Sequence, residues 1–569
     1  MILFRTPRRE GTMRLLITTA VVQTLVYGTL YWLNQSFVYG SSEQNRPILP
    51  MLALFAGSFL LYLTALHTSI RLKATSGLVW AIVLQAIVFR GILLPTTPIQ
   101  EIDIYRYLWD GAATARGVNP YRYSPDQVLS AVANQGLSED LQILVRLRDT
   151  SPVMADILAR IHHAELPTVY PPVSQAVFAL GDIITPDKAS VEGRVLILKY
   201  LLVLFDVGTI GLLWSLLVLM KLHPGWVIAY AWCPLVLKEF SNSGHLDSIA
   251  VFFTTATVWC VARLFLGGAG SHSTALLLGG GFTFAFAVGA KLYPVVLLPV
   301  LVAAVAARAG LKGAMSYGLL ATVLSGVVVA PMLLTEPAES VALKSHPSDT
   351  DATESLPLEP RQDTGLKAFL THWEMNDFLF MLVAENLRPF EPESERPHVW
   401  FAVLPNSWRD TLVAPLTSNL NIKPKTAAFL LTRVLTTAAF LAISLAFSWK
   451  VYCCASAQYF LEATFLTLAW FWLLSPTQNP WYWTWALPFL PFARGCPWMA
   501  VSGLTLLYYL RFWLRYHFSG IALLGTSYDG AQFFDFVFTW VEYLPWFLWL
   551  SISAWRRRHP SPVRGNEQR

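Results

Sequence analysis

The stretch that decides the fold is Glu101–Asp126, EIDIYRYLWDGAATARGVNPYRYSPD. It is the densest cluster of charges and aromatic rings in a mostly apolar chain, and it directly follows a hydrophobic run. At helical period Asp103, Arg106, Tyr107 and Asp110 share one face, and Ile102, Tyr105, Trp109 and Ala112 share another. Such a helix suits a membrane surface, with rings in the interface and carboxylates held just outside the lipid. Gly117 and the Asn119-Pro120 step predict where it ends and turns.

Composition agrees with a membrane setting. The 569 residues are 54% hydrophobic and only 14% charged, with a mean hydropathy of +0.47. A soluble domain carries about 25% charged residues. The apolar residues fall in runs long enough to cross a bilayer, at about 20 residues per crossing. The expectation is an all-α polytopic membrane protein, and a single soluble core is excluded. The net charge of +5 gathers at span ends, so it reads as topology and not as nucleic-acid binding. Cys233, Cys260, Cys453, Cys454 and Cys496 are scattered without a C-x-x-C pair, giving neither a disulfide framework nor a metal site. The first apolar run follows Arg5, Arg8 and Arg9 and is followed by further spans, as a signal anchor would be.

In chain order, spans are expected near 13–33, 48–70 and 76–95, with the basic Arg71–Lys73 link and the N-terminus in the cytoplasm. The third span then delivers Glu101–Asp126 to the extracytoplasmic side. Thr168–Ile184 is apolar but short and opens on two prolines, so it reads as a helix lying in or dipping into the membrane. If it does not cross, spans near 195–220, 225–238, 246–266, 273–290, 292–308 and 313–334 put Lys221, Arg263, Arg308 and Lys312 inside. The acidic segment 335–424 falls outside; it contains SHPSDTDATESLPLEP as a flexible linker and the amphipathic GLKAFLTHWEMNDFLFMLVAENL. Spans near 425–449, 459–476, 482–493, 497–517 and 532–554 follow, ending at Arg556–Arg558. This divides the chain into N-terminal spans (1–95), a first outer loop bearing membrane-surface helices (96–194), core spans (195–334), a second outer loop (335–424) and C-terminal spans with a basic tail (425–569). The total is roughly 12–14 spans at about 20 residues each.

With that topology Glu101–Asp126, Asn242-Ser-Gly-His245-Leu-Asp247, Lys291-Leu-Tyr293-Pro294 and Gln478-Asn-Pro-Trp481-Tyr-Trp483 all meet the outer face at span ends. Taken singly, each can be a cap or an interfacial anchor; convergence on one side favours a site. The chemistry that fits is glycosyl transfer from a lipid-linked donor. The acceptor hydroxyl needs a carboxylate to take its proton, and the departing lipid phosphate needs a cation to hold it. Asp103 is the candidate base, against a plain ion pair with Arg106; Asp110 is the other candidate, as base or as a group holding the acceptor. Lys291 is the first candidate for the phosphate, against ordinary snorkelling, with His245, Arg122, Lys238, Arg511 and Arg515 behind it. Arg511 and Arg515 lie on the outer side against the positive-inside trend, which a lipid phosphate would explain. Glu101, Arg106, Tyr107, Tyr170, Asp247, Asn479, Trp481 and Trp373 are candidates for acceptor or sugar binding. Lys199 and Asp206, seven apart in one span, read as a buried structural pair. His162, His163 and Glu165 lack the spacing of a metal site, so no metal ligands are assigned. The Glu101-Ile-Asp103 pair nevertheless leaves room for a divalent cation such as Mg or Mn.

DIYRYLWDG…GVNPYRYSPD, LPTVYPP, NSGHLD, KLYP and NPWYW, in that order, resemble the multi-span GT-C glycosyltransferases that use polyprenyl- or dolichyl-phosphate sugars, bacterial mannosyltransferase-like proteins among them. The likeness covers roughly residues 75–300 well and the rest loosely. It implies a GT-C-like helical bundle with Asp103 as the catalytic Asp of the first outer loop, a YPP helix along the membrane, and inversion at the anomeric carbon. It also implies a polyprenyl-phosphate sugar as donor, a glycan, lipid or protein as acceptor, and a bacterial inner membrane with the site facing outward. The chain departs from the family's simplest plan in its two extra spans before the acidic loop and in the 335–424 segment. A membrane transporter or flippase of a lipid-linked or anionic solute is the rival, but it would place ionisable groups near the midplane of repeated halves. A metal-dependent lipid-linked transferase would need a Ser/Thr nucleophile with several His and Asp ligands.

Overall fold

A computed structural model describes residues 9–132, 136–265, 271–338, 364–390, 397–493 and 497–558. Cys496 and the SHPSDTDATESLPLEP stretch lie outside the described residues. The described chain is helical, and its one strand-like feature is a parallel bridge between Met375 and Thr477. Its main helices are α1 (Arg9–Leu33), α2 (Ile48–Ser69), α3 (Ser76–Leu93), α4 (Asp103–Ala115), α5 (Pro172–Ile184), α6 (Val191–Leu219), α7 (Asp247–Leu264), α8 (Ser271–Ala290), α9 (Leu298–Leu334), α10 (Pro424–Cys454), α11 (Ala457–Leu474) and α12 (Thr539–Arg558).

Among the described residues, eight helical stretches are long and apolar enough to cross a membrane. They match the expected spans through residue 95 and those built on α6, α7, α8, α9 and α10. The last stretch before the acidic loop, Tyr293–Leu334, covers two expected spans. It is broken at Gly310, whose φ of 71° and ψ of 176° suit glycine alone. The two arms then fold back on each other, for a Cβ at Gly318 would touch Val302 Cγ2 at 3.5 Å.

The other expected spans are corrected in detail. Residues 225–238 form no regular helix: Pro224 and Pro234 divide the region into short pieces ending in the π-helical Leu237–Asn242. Residues 482–493 become a single helical turn and a 3-10 segment threaded by Pro488 and Pro491. Nevertheless they run the length of α11, since Gln458 Nε2 donates to the Phe492 carbonyl at 3.2 Å. Residues 497–517 are split by a 3-10 turn, and α12 is preceded by a π-helical turn at Phe534–Phe538. The GLKAFLTHWEMNDFLFMLVAENL stretch is likewise two helices, Gly365–His372 and Leu379–Leu387, flanking an extended segment.

The basic links gather at one end of the bundle: His223, beside Lys221, reaches the Leu72 carbonyl at 2.9 Å, and Arg308 reaches that of Leu264 at 3.3 Å. The long polar segments gather at the other. α4 ends as expected, with Gly117 at φ 77° and the Val118 amide donating to the Ala113 carbonyl. It packs on α5 so closely that a Cβ at Gly111 would overlap the Phe178 carbonyl.

Inside the bundle, Lys199 and Asp206 do not pair. Lys199 Nζ donates to the carbonyls of Thr96 (2.7 Å) and Leu93 (3.5 Å) at the end of α3. Asp206 instead takes Arg90 at 2.6 and 3.1 Å and the Tyr230 hydroxyl at 2.8 Å. Each charge thus finds a partner on a neighbouring helix, and buried charges need partners.

Candidate active site

The segment between α3 and α4 is placed by side chains from three directions. Asn242 accepts from the Ile99 amide at 3.0 Å and donates to Thr96 Oγ1 and the Thr97 carbonyl at 2.7 and 2.9 Å. Gln100 stands in the left-handed region at φ 61°, where its Oε1 accepts from Arg46 at 3.0 Å and from Tyr516 at 3.2 Å. A non-glycine residue persists there only when its surroundings overdetermine it. The turn presents Glu101 and starts α4 at Asp103, an acid in a helix first turn where the dipole favours it.

Asp103 Oδ2 accepts from the Tyr170 hydroxyl at 3.2 Å. Tyr170 meets the edge of Tyr107 at 4.9 Å, and Tyr107 lies flat on Phe178 at 4.6 Å. Glu101 has one buried carboxylate oxygen without a hydrogen-bond partner among the described residues. Burial pushes its carboxyl well above the ordinary range; Lys238 opposes that shift, while Asp103 and Glu239 add to it.

Facing this edge is a second charged group. Lys291 Nζ lies 2.8 and 2.7 Å from the two oxygens of Asp247, which also accepts from Trp485 Nε1 at 2.5 Å. The ammonium sits 4.5 Å over the ring of Tyr482, and Tyr482 stacks on Trp485 at 4.4 Å. The two acidic segments are neighbours: Gly244, three residues before Asp247, lies against Ile104, the residue after Asp103, and Ser174 Oγ donates to the Ala290 carbonyl beside Lys291 at 2.8 Å. Deeper in, His245 stacks on Trp481 at 4.2 Å and approaches Glu239 at 3.3 Å. Glu239 accepts from Tyr509 at 2.8 Å, and Lys238 bonds Ser243 at 2.9 Å as well as Tyr509. Gly244 makes the NSGHLD turn possible: its φ is 70°, and a Cβ would press on Lys199 at 2.8 Å and Ile104 at 2.9 Å.

Of the residues singled out from sequence, Glu101, Asp103, Tyr107, Tyr170, His245, Asp247, Lys291, Asn479 and Trp481 therefore converge at one end of the bundle. Others stand apart. Arg106 pairs with Asp110 at 2.9 Å and donates to the Leu166 carbonyl, and Gln175 holds the other Asp110 oxygen at 3.3 Å. That buried set fastens α4 to the loop before α5, so Arg106 serves Asp110 and not Asp103. Arg122 is exposed beside Asp140, Arg511 is taken bidentately by Asp535 at 2.8 and 2.9 Å, and Arg515 is exposed near His162. Trp373 packs 5.1 Å from the His163 ring. Among the described residues no three His, Cys, Asp or Glu side chains are grouped as metal ligands. Tyr482, Trp485 and Glu239 were not among the candidates; in sequence they are aromatic anchors or a single acid in an apolar run.

Comparison with family models, with curated proteins and with solved structures yields no match to this chain.

Proposed function

We propose that the protein is a membrane glycosyltransferase of the GT-C type, moving a hexose, mannose for preference, from a polyprenyl-phosphate sugar to an extracytoplasmic hydroxyl with inversion. The observation that carries the reading is that Asp103, held by Tyr170, and the Lys291–Asp247 pair stand on neighbouring segments at one end of an apolar bundle, Gly244 lying against Ile104 between them. Asp103 takes the acceptor proton as the hydroxyl attacks the anomeric carbon. The phosphate leaves on the opposite side of that carbon and needs only a positive partner. Lys291 supplies it, for an ammonium has three N–H donors and Asp247 engages two of them. His245, stacked on Trp481 deeper in the site, adds a second cation when protonated.

The bundle's basic short links lie at the end opposite Asp103, which supports a cytoplasmic position for them and an outward one for the site. A bacterial inner membrane suits this orientation. Incubating the purified protein with synthetic polyprenyl-phosphate mannose, glucose and arabinose tests the reading. Consumption of one donor, dependent on Asp103, supports it; no consumption of any, by protein shown to be folded, removes it.

A further inference from the structure

A cavity of about 220 Å³ lies where segment 335–424 meets the first turn of α10. It is bordered by the end of helix Leu379–Leu387, the stretch 397–402, helix Asn406–Leu420 and Lys425 of α10. Its walls are fastened from several sides. Asn386 Oδ1 accepts from the amides of Val403 (2.9 Å) and Leu404 (3.2 Å), and Asn386 Nδ2 donates to the Phe401 carbonyl at 3.2 Å. Asn406 Oδ1 accepts from the Phe390 amide at 2.6 Å. The Arg409 guanidinium ties the turn between, donating to the carbonyls of Leu404 (2.7 Å), Ala402 (2.7 Å) and Arg388 (3.3 Å).

The charges around this space do not balance. Arg388, Arg409 and Lys425 all line it, together with His398. Arg388 meets two acids, Glu385 at 2.8 Å and Glu374 at 3.4 Å. Arg409 is 6% exposed, yet its partners are carbonyls, and no acid pairs with it among the described residues. A guanidinium cannot shed its charge, and a buried charge without a counter-charge is costly. Lys425 is exposed and forms no ion pair among the described residues. Two cations on one cavity thus lack an anion.

We infer that this cavity binds an anionic lipid by its phosphate. The place is distinct from the Asp103–Lys291 site, none of whose residues lines it. A phosphate spreads its charge over several oxygens and can face two guanidiniums and an ammonium at once. The surroundings point to a lipid and not to a free ion. Lys425 opens a span-length helix, so the cavity stands where a span meets the headgroups. The stretch that forms it also exposes Phe390, Trp400, Val403 and Trp408, large apolar side chains that suit a membrane interface. Bound there, the lipid supplies the counter-charge of Arg409 and ties this segment to the head of α10. No sugar chemistry is involved, so the inference stands apart from the transferase reading.

The test titrates the purified full-length protein in neutral detergent with three probes: a short-chain phosphatidylglycerol, the phosphatidylcholine with the same chains, and inorganic phosphate. Phosphatidylglycerol should bind wild type roughly tenfold tighter than phosphatidylcholine, whose choline cation meets the surplus positive charge, and should raise the melting temperature. Lys425→Gln removes one exposed cation and none of the wall hydrogen bonds. It should weaken phosphatidylglycerol binding roughly threefold to tenfold, as loss of one charged contact implies, at an unchanged melting temperature without lipid. Lys425→Arg should retain the binding. Equal binding of the two lipids by wild type, or equal binding of phosphatidylglycerol by wild type and Lys425→Gln, overturns the inference. Inorganic phosphate bound as tightly as phosphatidylglycerol overturns the lipid as occupant in favour of a free anion.

Discussion

Lys291 grips Asp247 with two N–H groups, 2.7 and 2.8 Å from the carboxylate oxygens, and the Asp247 side chain is wholly buried. The ammonium therefore compensates a carboxylate that has no access to water.

Lys291→Ala should therefore destabilise the protein as well as impair it, by about 3–5 kcal/mol, the usual result of stripping one partner from a buried pair. The double variant Lys291→Ala/Asp247→Ala should recover much of that loss. Denaturation of the two variants in detergent measures both effects. A single variant as stable as wild type would show that the Trp485 indole alone suffices to hold Asp247.

Gly111 is required because α4 and α5 touch backbone to backbone. Gly111→Ala should push α4 away from the Phe178 carbonyl and cost about 1–3 kcal/mol, as overpacking does. Since α4 carries Asp103, activity should fall further than stability. A melting curve and a rate on the same sample separate the two.

Glu101 gives a pH signature. Its folded carboxyl titrates above the unfolded value of about 4.3, because burial disfavours the charge. In that window the folded state binds more protons than the unfolded one, so the contribution is complete below the unfolded value and is lost as pH rises through the folded one. Wild type should lose stability relative to Glu101→Gln, which has no proton to lose, as pH rises above the ordinary carboxylate range. Melting temperatures that stay parallel for the two proteins as pH rises would contradict the assignment.

Gly310→Ala should separate the two arms of Tyr293–Leu334, at a cost of about 1–3 kcal/mol for a conformation that only glycine holds. A melting temperature equal to wild type would mean that the break is not fixed by this residue.

Much of this was legible in the sequence, and the rest failed for definite reasons. Runs of apolar residues the length of a bilayer identify spans directly, which is why α1, α2, α3, α6, α7, α8 and α10 were found within a few residues. Residues 225–238 and 482–493 are as apolar, but composition does not say where the hydrogen-bond register breaks, and prolines at 224, 234, 488 and 491 break it. Asp103 stood out because its neighbours at helical spacing are charged. Lys199 and Asp206 share a face, yet their partners come from α3, and tertiary neighbours cannot be read from spacing. Trp485 and Tyr482 look in sequence like interfacial anchors. Only the approach of Asp247 and Lys291, 238 residues before Trp485 in the first case, turns them into site walls.

Asp103 is the residue on which the proposed reaction depends. The decisive measurement is the rate of sugar loss from polyprenyl-phosphate mannose, glucose and arabinose, each presented to folded wild type and to Asp103→Asn in the same lipid. One donor should be consumed by wild type, with the variant slower by at least about a hundredfold, the low end of what a general base contributes. Equal turnover by both proteins would contradict the role given to this carboxylate.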